Sequence, residues 1–339
     1  MSGPVAVIVA AFQAERFLGD TLASVRAQTY RRWTCWVVDD GSTDATADVA
    51  ERAAGADPRI RVVRQANAGP HLARNAALAL LPDDVEWVAL LDSDDLWVPE
   101  ALATLVRAAE RRPDAVGVHA LAEYVDAEGR PVRPGAHPAV QRDRRRPGRF
   151  DLVALDPRAD STFESLAVSG TIWPPATALL RREVVDRVGR FDPAQRLVED
   201  WDLYLRMSRH GPFAVVDTQV AWYRQHGGNL THRAREMAWF HARVRWNLWS
   251  SADNTPEQRR TARRVWRRLQ VRWVVWAVQA TLRAVAHRRW GRSARAASAA
   301  AGFARQLLAG HPAPPSERLV DRVVEFVVPR QNGAGLRDA

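Results

Sequence analysis

The feature that most limits what this chain can fold into is a repeated swap of hydrophobic period. Short β-branched runs alternate with stretches that carry apolar residues at helical spacing. Val5 to Val9 reads as a strand, and Phe17 to Ala27, with Leu18, Leu22 and Val25 on one face, reads as the helix that follows. The cycle returns as a strand at Trp33–Val38 and a helix at Asp44–Ala54, then a strand at Ile60–Val63 and a helix at Pro70–Leu81. A fourth turn places a strand at Trp87–Leu91 and a helix from Pro99 to about Arg111. This alternation predicts an α/β fold built from βαβ units, a mostly parallel central sheet flanked by helices. Ligands of such sheets sit beyond the carboxyl ends of the strands, so chemistry is expected in the loops after Val9, Val38 and Leu91.

Residues 126 to 160 break the rhythm with Pro131, Pro134, Pro138 and Pro147 and a basic run from Arg142 to Arg149, which predicts a loop. The pattern resumes as a strand at Ala176–Leu180, helices near Arg182–Val188 and Asp200–Ser208, and a strand from Phe213 to Trp222. Beyond Thr231 it is helical almost throughout. A boundary near residue 230 follows, with an α/β domain over 1–230 and an Arg- and Trp-rich region over 231–339. A chain of 339 residues is long enough for each to bury a core.

Charge divides at the same place. Residues 1 to 230 hold 28 Arg and 32 acids, a net of −4, whereas 231 to 339 hold 21 Arg and 7 acids, a net of +14, so the excess positive charge of the chain belongs to the tail. The acidic first part argues against nucleic acid as the main partner. A single cysteine, Cys35, excludes an intramolecular disulfide, and no basic-then-apolar leader follows Met1. A cytoplasmic setting is expected, extending to peripheral association with the inner face of a membrane.

Leu90-Leu91-Asp92-Ser93-Asp94-Asp95 places three carboxylates at the end of an apolar strand. Such clustered charge is costly unless a cation shares it, and Asp92 and Asp94 are oxygen ligands suited to Mg²⁺ or Mn²⁺. By itself the same stretch also describes a solvated acidic turn with Asp95 near the start of the next helix. Asp39-Asp40-Gly41-Ser42-Thr43-Asp44 ends the second strand in the same way: a carboxylate there can accept the imide N–H of a pyrimidine, or Ser42 and Asp44 can simply cap a helix. Arg74 and Asn75 open a helix after the third strand, where Arg74 is either a base or phosphate contact or a surface arginine. Glu199-Asp200-Trp201-Asp202 begins a helix, where a carboxylate is favoured and can serve as a general base. His226-Gly227-Gly228-Asn229 follows a strand, and its Gly pair suits a loop that closes on a ligand.

In this order and spacing, together with Val5-Ala6-Val7-Ile8-Val9 and Ala73-Arg74-Asn75, these motifs resemble glycosyltransferase family 2 over about residues 3 to 230. The resemblance implies a GT-A fold and a UDP-, dTDP- or GDP-linked sugar donor. It implies a divalent metal, Mn²⁺ or Mg²⁺, and transfer with inversion to a hydroxyl of a glycan or lipid-linked acceptor, in bacterial cell-surface polysaccharide or glycoconjugate synthesis. By position it implies that Asp39, with Asp40 beside it, recognises the base, and that Ala10, Phe12 and Glu15 lie on the loop lining the nucleoside pocket. Arg74 and Ser93 become nucleotide contacts, Asp92 and Asp94 match the Asp-x-Asp element, and His226 matches a late histidine near the diphosphate and metal. Asp200 matches the catalytic base, with Glu199 the next candidate. Ala10 and Gln13 depart from the family, which usually has Pro and Asn there. Gln270-Val271-Arg272-Trp273 is one residue short of the Gln-x-x-Arg-Trp of processive synthases, so transfer of single sugars is expected. The first strand leads into Ala10-Ala11-Phe12-Gln13, not the Gly-rich phosphate loop that a nucleotidyltransferase would need.

In the tail, Thr255-Pro256-Glu257-Gln258 predicts a helix start. Ala262, Trp266, Leu269, Trp273, Trp276 and Ala280 then form an apolar stripe, while Arg272 and Arg283 interrupt any run long enough to span a bilayer. Two readings stay open. Trp266, Trp273 and Trp276 lie on an anionic membrane surface, or the stripe packs on the catalytic domain or on a second subunit of a homo-oligomer.

Overall fold

Val5 through Val9 are fully buried on both sides of the strand, as a parallel strand covered on both faces requires. The computed structural model describes residues 3–132, 159–230, 234–286 and 301. In it β1 (Val5–Ala11), α1 (Leu18–Arg26), β2 (Trp33–Asp39), α2 (Thr46–Ala56), β3 (Ile60–Arg64), α3 (Pro70–Leu80) and β4 (Trp87–Leu90) run in the expected alternation. They are followed by β5 (Leu96–Trp97), α4 (Ala101–Glu110), β6 (Gly117–Val125), α5 (Phe163–Val168), β7 (Ala178–Arg181), α6 (Arg182–Arg187), α7 (Glu199–Met207) and β8 (Phe213–Arg224).

The strands form one sheet in the order β3-β2-β1-β4-β7-β6-β8-β5. The first four are mutually parallel, with Val5 opposite both Trp33 and Trp87. Beyond them β7 runs antiparallel to β4 and to β6, β6 and β8 pair in parallel, and β5 closes the edge antiparallel to β8. Val5, Val7, Val9 and Val37 of the sheet and Leu91 just past β4 share one apolar cluster with Leu18, Leu22 and Val25 of α1 and Leu102 and Leu105 of α4. The fold is the mixed α/β GT-A type. Its β5, β6 and α5 leave little trace in the sequence. β5 has two residues, too few to show a period, and β6 carries His119, Ala120 and Ala122 where a strand more often has β-branched residues. The basic run Arg142–Arg149 lies outside the described residues.

The chain divides into two compact units, Met1–Asn229 and Leu230–Ala339. In the second, α8 (Ala234–Ser250) leads into α9 (Pro256–Ala286). The start of α9 is a capping box: the Gln258 N–H donates to Thr255 Oγ1 at 3.2 Å, and Gln258 Oε1 accepts from the Thr255 N–H at 3.0 Å. Ala262, Val265, Trp266, Leu269 and Trp273 of α9 are buried. The Trp266 ring centroid lies 5.7 Å from that of Trp246 on α8 and 6.3 Å from that of Trp273. Of the readings left open for this stripe, lipid contact is corrected for Trp266 and Trp273: both are buried, with Trp266 packed against Trp246 of α8 and against Trp273. The Trp276 side chain lies outside the described residues. Among the described residues no helix is long and apolar enough to cross a membrane.

This packing has a measurable consequence. Trp266→Ala empties a buried site between two helices and is expected to destabilise the second unit by about 3 to 5 kcal/mol. Thermal denaturation reads the change, and a melting curve unaltered from the parent protein would contradict the packing.

Candidate functional site

Three loops meet at the carboxyl ends of adjacent strands, because β1 lies between β2 and β4. The loop after β1 is sewn to the loop after β2. The Gln13 N–H donates to Ser42 Oγ at 3.0 Å, Gln13 Nε2 donates to Thr43 Oγ1 at 2.8 Å, and Gln13 Oε1 accepts from the Asp44 N–H at 3.2 Å. Gln13 itself has φ of 51°. Glu15 accepts from the Ala45 N–H at 2.9 Å, and the Ala14 N–H donates to Thr46 Oγ1 at 2.7 Å. Gln13, where the family usually has Asn, thus holds the loop in place with its own amide. Phe12 projects from it as an exposed aromatic ring, and Ala10 stands one residue before the end of β1, opposite Val38.

Asp39 and Asp40 are both buried, and they do different work. Asp39 accepts from the Ser42 N–H and from Arg64 Nε, each at 3.1 Å. Asp40 faces the loop after β3, accepting from Gln65 Nε2 at 2.7 Å, the Ala68 N–H at 2.9 Å and the Gly69 N–H at 2.7 Å. Its carboxylate is saturated by the protein and fixes the approach to α3. Gly41 makes the turn possible: its φ is +76°, and a Cβ there would stand 2.7 Å from the Asn67 nitrogen.

The centre of the site is Arg74, a buried guanidinium on α3. Its Nη1 donates to Glu199 Oε1 at 2.5 Å and its Nη2 to Asp92 Oδ1 at 2.6 Å, joining the loop after β4 to the first turn of α7. An arginine suits this role because its planar fork serves two carboxylates at once. α3 is held in register by the segment before α7. Asn75 Nδ2 donates to Phe191 O at 2.9 Å, Asn75 Oδ1 accepts from the Phe191 N–H at 3.0 Å, and His71 Nε2 lies 3.1 Å from Pro193 O.

Asp200 stands next to Glu199, half-buried, with Oδ1 accepting from the Trp201 N–H at 2.8 Å. Burial, reinforced by the Glu199 charge and opposed by Arg74, pushes its carboxyl up to about 7. The residue before this turn, Val198, has φ of 60°, a left-handed conformation unfavourable for a β-branched side chain. Such strain costs on the order of 1 to 3 kcal/mol and persists where neighbours overdetermine it. Here the Asp202 N–H donates to Val198 O at 3.2 Å, and Trp201 is anchored through Nε1 to Leu166 O on α5 at 2.8 Å.

Asp94 and His226 meet from opposite sides of the chain. His226 Nδ1 accepts from the Gly228 N–H at 3.2 Å, which leaves Nε2 to donate to Asp94 Oδ2 at 2.8 Å. The ring rests 4.5 Å from that of Phe17, centroid to centroid, and Asn229 Oδ1 accepts from the His226 N–H at 2.6 Å. Behind it lies Arg224, which the sequence did not single out. Its Nε donates to Asp94 O at 2.9 Å, its Nη2 to Asp20 at 3.2 Å, and its own N–H to Asp95 Oδ1 at 3.0 Å. Asp95 is wholly buried, so it is not a solvated turn residue. Burial, with Asp94 and Asp92 alongside, pushes its carboxyl well above the usual range. Arg224 ends an apolar strand two residues before His226, and that was its only signal. Nothing in a one-dimensional pattern shows that its guanidinium turns inward. Ser93 contributes its carbonyl, 3.0 Å from the Thr21 hydroxyl.

Among the described residues no three His, Cys, Asp or Glu side chains are grouped to hold a metal ion unaided. The donor set still fits a hard divalent ion shared with a ligand. Asp92 and Asp94 are partly exposed, and among the described residues Asp92 Oδ2 and Asp94 Oδ1 accept no hydrogen bond. Mg²⁺ and Mn²⁺ are commonly held by one or two carboxylates plus phosphate oxygens, without a full protein cage. Burial, against the pull of Arg74 and with the Asp94 and Glu199 charges nearby, raises the Asp92 carboxyl. The site thus ties Arg74 to Asp92 and Glu199, sets Asp200 beside Glu199, and pairs Asp94 of the same acidic loop with His226, with Phe12, Glu15 and Asp39 at the adjoining strand ends.

Known proteins resemble this chain in sequence and in fold. The chain is 29% identical over 231 residues to an uncharacterized glycosyltransferase of Nostoc, a match spanning 66% of each protein. It is 30% identical over 209 residues to the succinoglycan biosynthesis protein ExoU of Rhizobium meliloti, covering 61% of this chain and 57% of that one. With these two relatives the match spans at most two thirds of the relative's own length. Among solved structures, a 1–349 fragment of S. aureus TarS in complex with UDP-GlcNAc superposes with a TM-score of 0.57 at 18% identity, over 78% of this chain and 72% of that one. The mannosyltransferase PcManGT of Pyrobaculum calidifontis, in complex with GDP-Man and Mn²⁺, superposes with a TM-score of 0.57 at 16% identity, over 98% of this chain and 89% of that one. The model of glycosyl transferase family 2 matches residues 6–188, more than half of the 339 residues and the whole run of strand-end loops from Gln13 to Asp95. By that match the chain belongs to glycosyltransferase family 2.

Proposed function

We propose that the protein transfers a single sugar, with inversion, from a nucleotide-diphosphate sugar to an acceptor hydroxyl, with Asp200 as the general base. The observation that carries this reading is the Arg74 bridge, which ties the turn bearing Asp200 to the acidic loop after β4. The Asp200 carboxylate removes the acceptor proton as the acceptor oxygen forms its bond to the anomeric carbon. The bond from that carbon to the diphosphate breaks on the opposite face, and the electron pair leaves with the nucleotide. Asp92 and Asp94 are the residues that would hold Mn²⁺ or Mg²⁺, with His226 orienting Asp94 through its Nε2 hydrogen bond, and such an ion would neutralise the departing diphosphate. Arg74 adds a fixed positive charge at the same edge, needing no reorganisation during the reaction.

On the nucleotide side, Asp39 is the base-recognising carboxylate. Its partner Arg64 is a surface side chain, 62% exposed, and is the group a uracil, thymine or guanine imide would displace. Phe12 and Glu15 border the same pocket. Two structural neighbours named above were solved with UDP-GlcNAc and GDP-Man, and ExoU is a succinoglycan biosynthesis protein; these support donors of the same class and a role in polysaccharide or glycoconjugate synthesis. The test is hydrolysis of UDP-, dTDP- and GDP-sugars with and without Mn²⁺ or Mg²⁺. One nucleotide series is expected to turn over, and only with metal. Failure of all three series, with binding of a nucleoside triphosphate and release of pyrophosphate, would favour nucleotidyl transfer instead.

A further inference from the structure

The outward face of α9 changes character along its length. Arg260, Arg264, Arg267, Val271, Val275, Val278 and Leu282 follow one another at intervals of 4, 3, 4, 4, 3 and 4 residues, so they form a single stripe. It runs opposite to the buried Ala262, Trp266, Leu269 and Trp273. All seven are exposed. The four apolar members are 47%, 46%, 45% and 63% exposed, four of the seven most exposed large hydrophobic residues found among the described residues. They cover about 17 Å of helix. A row of aliphatic side chains left in water on a face one residue type wide marks a surface that meets something else.

We propose that this stripe is a docking surface for anionic lipid, with the valines and Leu282 entering the headgroup boundary and the arginines of the first turns meeting phosphate. Charge decides the occupant. The tail carries 21 Arg against 7 acids, so a second copy would oppose it with a surface of the same sign. A nucleic acid would satisfy Arg260, Arg264 and Arg267 and leave the aliphatic stretch in water. An anionic bilayer serves both halves: apolar area sinks into the interface while basic side chains bind the leaflet charge. The tryptophans take no part, since Trp266 and Trp273 are buried in the packing of α8 and α9. The inference is independent of which sugar the first unit transfers.

The test is sedimentation of the full chain with vesicles of phosphatidylcholine, alone or mixed with phosphatidylglycerol. Binding is expected only with phosphatidylglycerol, and it should weaken as salt rises. The variant R260Q/R264Q/R267Q is expected to lose roughly fivefold per arginine, on the order of 100-fold in all. V275S/V278S/L282S is expected to release the protein from the same vesicles, and both variants should keep the parent melting curve and donor hydrolysis because every altered side chain is exposed. Inorganic phosphate at matching ionic strength should not displace the bound protein, which separates a lipid surface from a free phosphate site. A parent protein that ignores anionic vesicles would overturn the proposal. So would either variant binding as the parent does, or a parent dimer that the serine variant turns into a monomer.

Discussion

Asp200→Asn is expected to lower sugar transfer by about 10²- to 10⁴-fold while donor binding is retained, the usual worth of a positioned general base. The amide keeps the size and the hydrogen bond from the Trp201 N–H but cannot take a proton. Because burial pushes the Asp200 carboxyl up to about 7, parent activity should rise with pH and level off above about 7, the range in which the base is ionised. Stability should move the other way. The unfolded chain releases this proton near 3.8, so between there and about 7 the folded state binds more protons than the unfolded, and this group's contribution to folding shrinks as pH rises. Paired measurements of rate and melting temperature from pH 5 to 8 on the parent and Asp200→Asn check both signs. A variant that loses donor affinity but keeps its turnover rate would move Asp200 from catalysis to binding and make Glu199 the next base to test.

Asp94→Asn is expected to reduce donor turnover on the order of 10³-fold, and excess chelator should do the same to the parent protein. A neutral amide is a poor ligand for a hard cation. Folding should survive, since Asp94 is partly exposed and its backbone carbonyl, which accepts from Arg224 Nε at 2.9 Å, is unchanged. His226 loses an anionic acceptor, yet its Nδ1 contact with the Gly228 N–H and its tilted packing against Phe17 still place the ring. Full activity in chelator, or in the variant, would remove the metal from the reaction and leave Arg74 as the main charge facing the diphosphate.

The two residues illustrate how differently parts of this site can be read in advance. Periodicity alone locates β1 to β4 and the helices between them, because apolar spacing is a local property written every two or three residues. It follows that Asp39, Asp92 and Asp94 stand at strand ends, since a parallel strand of fixed length must finish where its apolar run does. The capping box at Thr255 and Gln258 is equally local. By contrast, β5 and β6 are stabilised by partners distant in sequence, with Leu96 opposite Trp222 and Ala122 opposite Ala221, so their own sequences are weakly marked. The same distance hides Arg224, whose burial depends on reaching Asp20 and Asp94.

The tail makes the point most sharply. Its sequence determined that a long helix begins near Pro256 and that tryptophans share one face, but an amphipathic face has the same pattern whether it meets lipid or another helix. Tertiary structure decided between them, because α8 brings Trp246 to Trp266 and so buries the aromatic face. That choice turned the aliphatic residues of α9 outward. In the first unit, likewise, the order of motifs determined the family, whereas folding alone determined that Arg74 bridges Asp92 and Glu199 and that Asp40 is spent on the loop before α3. Residue identity sets what a side chain can bond; which of its possible partners it meets is fixed only when distant strands pack and desolvate it.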